Sequence, residues 1–255
     1  MSLAEPENPS PSILTRDDGA TIAYHRRAGH APGVMFLGGF MSDMSGTKAT
    51  ALDAWCAARG QAFLRFDYFG HGKSSGEFAE ATVGRWRDDA LAVFDRLTEG
   101  PQVLVGSSLG GWIMLLLALA RPARVKALVG IASAPDATED LMWKEFPEEI
   151  RLLIEREGSA RIPSNYSDQG YLITWKLIEE GRRHLLMREK IAVECPVRLV
   201  HGLLDEDVPW RRSLDLAGKL AGPDVQVTLI KDGDHRLSRD QDLALITRTL
   251  ATLLD

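Results

Sequence analysis

A serine framed by glycines is the feature of this sequence with the clearest chemical meaning. Residues 106–110 read GSSLG and fit the pattern Gly-x-Ser-x-Gly, between a short β-branched run and an apolar stretch. That context predicts a strand that turns sharply into a helix, with the hydroxyl lifted off the sheet at the helix N-terminus. A turn this tight leaves no room for side chains at Gly106 and Gly110. The glycine spacing therefore selects Ser108, rather than Ser107, as the candidate nucleophile.

A base must accompany the serine, because a serine hydroxyl is a weak nucleophile at neutral pH and its base needs a third group to orient it. On a strand–turn–helix scaffold of this kind the chain order is serine, acid, histidine. His184, His201 and His235 follow Ser108 in the sequence. Of these, His235 is predicted to lie on the loop after the last strand, whereas His184 falls in an inserted segment and His201 at a strand end. His235 is therefore the candidate base, and the other two are expected to be structural.

The acid is expected on the loop that follows a predicted strand at Val197 to Val200. Residues 201–209 read HGLLDEDVP, so this loop offers the three carboxylates of Asp205, Glu206 and Asp207. Spacing alone does not choose among them.

Acyl transfer also requires hydrogen-bond donors for the oxyanion that develops on the acyl oxygen. Two backbone N–H groups usually serve, one from the residue after the nucleophile and one from the loop after the third strand. Leu109 is the first predicted donor. The second is expected from residues 38–41, GGFM, with Phe40 as the donor and the glycines letting the backbone approach the substrate.

The elements around these residues predict a mostly parallel sheet with helices on both faces, because short β-rich runs alternate with helical patterns. Leu14 to Arg27 is predicted to open the chain as a hairpin. Residues 1–133 and 194–255 form the predicted core, and residues 134–193 interrupt the alternation as a segment that looks helical. We expect about half of its aromatic residues to form a small core of the segment's own: Trp143, Phe146, Tyr166, Tyr171 and Trp175.

The composition excludes several classes of function. The 255 residues, 45% hydrophobic and 26% charged, suffice for a large buried core, and a net charge of −6 provides no basic surface for nucleic acid. Cys56 and Cys195 are too few for a disulfide framework and favour a reducing cytosol. The longest apolar run, Trp112 to Ala120, is too short to span a bilayer, and residues 1–12 lack the pattern of a signal peptide. These features predict a cytoplasmic protein without membrane insertion.

Several segments resemble the α/β-hydrolase superfamily. Residues 66–74, FDYFGHGKS, match its D-x-x-G-x-G-x-S pattern. More narrowly, the chain is similar to the α/β-hydrolase domain-containing protein 10 family, which comprises palmitoyl-protein thioesterases that also cleave acyl glucuronides. The narrower resemblance is carried by residues 42–49 (SDMSGTKA), 105–112 (VGSSLGGW), 162–167 (IPSNYS), 201–210 (HGLLDEDVPW) and 234–236 (DHR).

The resemblance implies an α/β-hydrolase fold, with a mostly parallel eight-stranded sheet flanked by helices and a small helical cap. It implies hydrolysis of esters or thioesters of a small molecule or an acylated protein, with no cofactor and no metal. It places the acid at the fifth residue of the HG segment, Asp205, and so implies a triad of Ser108, Asp205 and His235. The animal members are mitochondrial, and the lack of a transit-peptide pattern here suggests a bacterial relative. Gly38-Gly39 departs from the Pro-Gly that is frequent in the family.

Two other kinds of function, one catalytic and one not, remain open on the sequence. The same fold supports C–C bond cleavage and perhydrolysis, which a substrate panel would distinguish from ester hydrolysis. A ligand-binding receptor or scaffold on the same fold usually lacks a triad member, whereas serine, acid and histidine are all present here in the expected order.

Overall fold

Alternating strands and helices build the molecule around one large sheet. The computed structural model describes residues 10–164 and 167–254, without the side chain of Ser167. Its strands are β1 (Ser12–Thr15), β2 (Thr21–Arg27), β3 (His30–Leu37), β4 (Gln61–Phe66), β5 (Gln102–Ser107), β6 (Val125–Ile131), β7 (Ser159–Ser164), β8 (Ser167–Thr174), β9 (Val197–Gly202) and β10 (Val225–Ile230). Its α-helices are α1 (Thr47–Ala58), α2 (Val83–Leu97), α3 (Leu109–Ala120), α4 (Glu148–Glu157), α5 (Trp175–Gly181), α6 (Arg211–Lys219) and α7 (Asp240–Leu254).

The sheet has eight strands in the order β1-β2-β4-β3-β5-β6-β9-β10. β1 pairs antiparallel with β2, which confirms the predicted opening hairpin, and β2 pairs antiparallel with β4. Each neighbouring pair from β4 to β10 is parallel. The mostly parallel eight-stranded sheet is therefore confirmed, and the loops after its parallel strands meet at one edge.

Two apolar layers cover the faces of the sheet, and β5 shows why. Its side chains alternate between the faces, as the two-residue period of a strand requires. Leu104 joins the cluster that contains the buried residues of α2 and α3, whereas Val103 and Val105 join the cluster on the side of α1 and α7. A strand buried on both faces reads as a continuous apolar run, which is typical of a parallel sheet.

The segment between β6 and β9 is not wholly helical, so the predicted helical cap is incomplete. It contains a π-helical stretch at Thr138–Trp143, then α4, the antiparallel hairpin of β7 and β8, and α5. The hairpin pairs Ala160 with Ile173 and Ile162 with Tyr171. These alternating apolar residues pack with α4 and α5 in a separate small core. Short runs with a two-residue period are hard to distinguish from helical spacing within an aromatic-rich segment.

Four of the five aromatic residues of this segment pack against that small core, more than the half that was expected: Trp143, Phe146, Tyr171 and Trp175. Tyr166 lies outside the described residues, as do Asn165 of the IPSNYS segment and residues 1–9.

Hydrogen bonds to two acidic side chains close the inserted segment at its base and attach it to the core. The Asp136 carboxylate, fully buried after β6, accepts from the backbone amides of Leu186 (2.6 Å) and Met187 (2.9 Å), so the two ends of the segment are held together. Farther along, the Glu180 carboxylate accepts from the Gly84 amide at the start of α2 (3.0 Å). The first contacts close the base of the inserted segment, and the last one joins the segment to α2 of the core.

Within residues 10–164 and 167–254, no helix combines the length and the apolar character needed to cross a membrane.

Candidate active site

Ser108 lies at a sharp turn between β5 and α3. Its backbone has φ 54° and ψ −119°, a conformation that costs a non-glycine residue free energy and persists only under strong constraint. A Cβ added to Gly106 would lie 2.5 Å from the Gly110 carbonyl oxygen, and one added to Gly110 would overlap the Leu37 carbonyl. Glycine is therefore required at both positions, as the pentapeptide predicts, and the turn presents the Ser108 hydroxyl at the N-terminus of α3.

His235 lies on the loop between β10 and α7 and contacts both other members of the predicted triad. Its Nε2 is 3.1 Å from Ser108 Oγ, and its Nδ1 is 2.8 Å from Asp205 Oδ2. An ionised carboxylate only accepts hydrogen bonds, so Nδ1 carries a proton and Nε2 of the neutral ring is the acceptor that faces the hydroxyl. The side chain is 17% exposed, which leaves the site open to a substrate.

The loop after β9, which carries Asp205, packs against the loop after β10, which carries His235. The amides of Leu203 and Leu204 donate to the carbonyls of Ile230 and Gly233. A Cβ on Gly202 would overlap the Gly233 carbonyl, so the close approach depends on glycine. On the other side of the histidine loop, the Lys48 ammonium donates to the Arg236 carbonyl. These contacts determine where His235 stands relative to the acid.

Asp205 is the carboxylate that contacts the base. Its Oδ1 accepts from the amides of Asp207 (3.0 Å) and Val208 (2.8 Å), and its Oδ2 accepts from His235 and from His201 Nε2 (3.0 Å). Burial alone would raise the pKa of Asp205. The hydrogen bonds from His201 and His235, the charge attraction of His235 and the backbone donor at Val208 together outweigh it and hold that pKa well below its usual range. Asp205 is therefore an anion at neutral pH.

Asp207 is the nearest alternative carboxylate for the role of the acid. It also belongs to a group of side chains that could hold a metal ion. Asp205, Asp207 and His235 form a group of described side chains whose ligand atoms lie within 4.8 Å of one another. Both oxygens of Asp205 are already engaged by hydrogen bonds, and Asp207 is exposed. The arrangement fits a hydrogen-bonded serine, histidine and acid better than a metal site.

The two predicted oxyanion donors lie on either side of Ser108. Leu109 is the first residue of α3, where a helix leaves its amides without an intrahelical partner. The loop after β3 approaches so closely that a Cβ on Gly39 would lie 3.4 Å from Ser108 Cβ. Within the described residues, the amides of Phe40 and Leu109 donate to no other group. Both are free to bind a negatively charged oxygen.

His71 holds the predicted oxyanion loop, residues 38–41, a role that the sequence pattern did not predict. Its Nε2 lies 3.2 Å from the Met41 amide nitrogen and its Nδ1 lies 3.2 Å from the Phe69 carbonyl oxygen. An amide only donates and a carbonyl only accepts, so the ring is neutral with its proton on Nδ1. Burial lowers the pKa of His71, which keeps it neutral. In the sequence, the only indication of this role was that His71 lies within the motif at residues 66–74.

Replacing His71 with phenylalanine is expected to lower kcat by about 10- to 100-fold with little change in KM. The ring volume is kept but the acceptor for the Met41 amide is lost, so the adjacent Phe40 amide is no longer well aimed; losing one oxyanion donor entirely costs about 10²–10³. Steady-state kinetics with thermal unfolding as a control tests this. His71→Gln, which can present an amide oxygen near the position of Nε2, should recover part of the rate; an unchanged kcat in folded His71→Phe would contradict the role.

Aromatic rings form an apolar wall beside the oxyanion loop. The Phe40 ring makes edge contacts with Phe78 (centroids 5.1 Å apart), Trp86 (6.0 Å) and Tyr171 (5.5 Å). Phe78 and Trp86 belong to the core, whereas Tyr171 comes from β8 of the inserted segment. The inserted segment therefore reaches the immediate neighbourhood of Ser108.

His184 and His201, the two histidines that were not chosen as the candidate base, differ in their contacts. His184 bonds to Glu180 (2.6 Å), and its carbonyl accepts from the Trp112 indole (3.0 Å), which agrees with the structural role expected for it. His201 was also expected to be structural, but it contacts Asp205 directly. The strand-end position gave no indication that its ring would turn toward the acid loop.

A mostly parallel eight-stranded sheet of this order, with a strained serine between a central strand and the following helix, defines the class of serine-hydrolase-type α/β hydrolases. Comparison with known proteins agrees. Residues 31–176 match the hydrolase family described as serine aminopeptidase, S33. The chain is 46% identical over 245 residues to palmitoyl-protein thioesterase ABHD10, mitochondrial, of Mus musculus, an alignment that covers 96% of this chain and 82% of the mouse protein.

Solved structures give the same result. The structure of mouse α/β hydrolase domain-containing protein 10 superposes with a TM-score of 0.90 at 46% identity, covering 97% of this chain and 99% of the mouse chain. A putative hydrolase from Agrobacterium vitis S4 superposes with a TM-score of 0.91 at 38% identity, covering 98% of this chain and 100% of the other. The chain belongs to the ABHD10 family of α/β hydrolases, and the resemblance inferred from its motifs is confirmed.

Proposed function

We propose that the protein hydrolyses carboxylic esters and thioesters through an acyl-enzyme, with Ser108 as nucleophile, His235 as general base and acid, and Asp205 as the group that orients the histidine. The observation that carries the proposal is the continuous chain of hydrogen bonds from Ser108 Oγ through His235 to Asp205, with distances of 3.1 and 2.8 Å. This is the arrangement that activates a serine hydroxyl.

The reaction follows from this geometry. Ser108 Oγ attacks the acyl carbon while His235 Nε2 takes its proton, and the oxyanion that forms accepts from the amides of Phe40 and Leu109. His235 then returns the proton to the departing thiol or alcohol, leaving the acyl group esterified to Ser108. Water repeats the two steps, releasing the carboxylic acid and the free serine. Asp205 stays ionised throughout and stabilises the imidazolium.

We further propose a long-chain acyl thioester as the preferred substrate, with acylated protein or a small-molecule thioester as the leaving partner. Two observations support this. The relative of 46% identity is named a palmitoyl-protein thioesterase. The wall of Phe40, Phe78 and Tyr171 gives an acyl chain an apolar surface next to the oxyanion loop. Residues 134–193 would then act as a cap, because Tyr171 contributes to this wall.

A substrate panel tests the proposal. The purified protein is assayed for kcat/KM with short- and long-chain acyl esters, the matching acyl thioesters and an acyl glucuronide, with Ser108→Ala as the blank. We expect Ser108-dependent turnover of esters and thioesters, with the highest kcat/KM for long-chain thioesters. Preferential turnover of a C–C bond substrate or of hydrogen peroxide would favour the alternative chemistries, and binding without turnover would favour a receptor.

We propose the cytoplasm, a reducing compartment, as the location. Both cysteines lie in the described part of the chain and neither forms a disulfide, with Cys56 buried and Cys195 half-buried. Unpaired thiols are typical of reducing compartments. The related mouse protein is named as mitochondrial.

A further inference from the structure

His201 is a buried histidine that contacts the candidate acid without contacting the serine. It is the penultimate residue of β9, and its side chain is fully buried. Its Nε2 lies 3.0 Å from Asp205 Oδ2 and 2.9 Å from the Val208 carbonyl oxygen. A carboxylate and a carbonyl are both acceptors, so Nε2 must carry a proton. Its Nδ1 lies 2.7 Å from Ser213 Oγ of α6, and a hydroxyl can donate to it.

One oxygen of Asp205 therefore accepts from two imidazoles. Oδ2 receives Nε2–H of His201 and Nδ1–H of His235, while Oδ1 receives two backbone amides. Four donors prevent the carboxylate from rotating. The second imidazole also draws charge from the oxygen that faces His235, so that this oxygen stabilises the His235 imidazolium less than an unshared carboxylate would.

We propose that His201 is a positioning residue for the acid: its Nε2–H holds the Asp205 carboxylate against His235 and sets the pH range in which His235 acts as base. The proposal rests on the proposed function, because it assumes that Ser108, His235 and Asp205 perform the reaction. Of the described titratable groups, His201, His235 and Asp207 face Asp205. Of these three residues, His201 is the one that lies on a strand, β9, and the other two lie on loops.

A purely structural role is the alternative. A buried histidine with three partners contributes to stability wherever it lies, and its loss would lower the melting temperature. That role predicts the same damage from any substitution that removes a partner, and it predicts no change in the pH dependence of the surviving activity.

Two substitutions separate these roles, because glutamine and asparagine each keep one of the two ring contacts. The side-chain nitrogen of glutamine can occupy the position of Nε2 and donate to Asp205, whereas that of asparagine reaches only the position of Nδ1, near Ser213. We expect His201→Asn to lower kcat by about 10- to 100-fold with little change in KM, as for loss of a hydrogen bond to a charged group. We expect His201→Gln to recover most of that loss.

The pH–rate profile gives the second readout. With its second donor removed in His201→Asn, Asp205 stabilises the His235 imidazolium more strongly, so the acidic limb of kcat/KM should move toward higher pH, by about half a unit to one unit. His184→Asn is the matched control, because it also removes a histidine that bonds a carboxylate, although this one is half-buried and lies in the inserted segment. It should leave kcat and the acidic limb unchanged even if it lowers the melting temperature.

The outcomes are distinguishable. Equal losses in His201→Asn and His201→Gln that follow the melting temperature, or an acidic limb that does not move in His201→Asn, overturn the proposal. Covalent labelling of the wild type by a fluorophosphonate probe, absent in Ser108→Ala, is measured alongside. If labelling and turnover do not depend on Ser108, the proposed function fails and this inference fails with it. If they do and His201→Asn behaves as the wild type, the inference alone fails.

Discussion

Ser108→Ala is expected to lower kcat by about 10⁵–10⁶ while the protein stays folded, the loss seen when the nucleophile of other serine hydrolases is removed. Alanine removes the oxygen that we propose attacks the acyl carbon, and it leaves the turn between Gly106 and Gly110 intact. The measurement is steady-state turnover of an acyl ester, with circular dichroism and thermal unfolding to show that the fold is retained. The fluorophosphonate probe should no longer label the variant.

Ser107→Ala is the matched control. Ser107 is adjacent in the chain, ends β5 and is buried, and the glycine spacing aims the neighbouring hydroxyl at the substrate instead. Its replacement should change kcat by less than about threefold, because removing a hydroxyl that does not contact the reacting atoms has little effect on transition-state binding. A large loss in Ser107→Ala together with near-normal turnover in Ser108→Ala would refute the assignment of the nucleophile.

Asp205→Asn is expected to lower kcat by about 10⁴, because an amide can donate to the ring and stabilise the tautomer with the proton on the wrong nitrogen. In that tautomer Nε2 of His235 carries the proton and cannot accept one from Ser108. The substitution also removes the negative charge that stabilises the imidazolium. Turnover of the same ester measured across pH, with the melting temperature as a check on folding, gives the result.

Asp207→Asn provides the comparison for the acid. Its carboxylate lies near His235 but is exposed, and the Asp207 group that donates to Asp205 is the backbone amide, which asparagine keeps. We expect a loss below about tenfold, from the weakened field of one solvent-screened charge. If Asp207→Asn were the more damaging change, the choice of Asp205 would be wrong.

Local patterns were sufficient for most of the scaffold. The opening hairpin of β1 and β2, the β-branched run of β5 and the strand β9 each depend on contacts between near neighbours in the chain, and the sequence predicted these elements close to their observed bounds. The hairpin of β7 and β8 was missed for the converse reason. Its strands are short, and their apolar residues are buried only because α4 and α5 pack on them.

In the candidate site, too, some features follow from local sequence and others only from tertiary contacts. Steric exclusion within five residues was enough to require Gly106 and Gly110, and the order of serine, acid and histidine followed from the loops that end parallel strands. The choice of Asp205 over Asp207 came from family resemblance, since spacing left three carboxylates open. The geometry now favours Asp205 independently, because it is the one that bonds to His235.

The sequence by itself determined the class of fold, the nucleophile turn and the candidate residues, because each of these depends on steric and periodic rules that act over a few neighbouring residues. Only the tertiary structure decided that His71 holds the oxyanion loop and that His201 shares the Asp205 carboxylate with His235. Both are contacts between separate loops and strand ends. A histidine's role there depends on which acceptors and donors surround its two ring nitrogens, and that is settled by packing across the whole sheet edge.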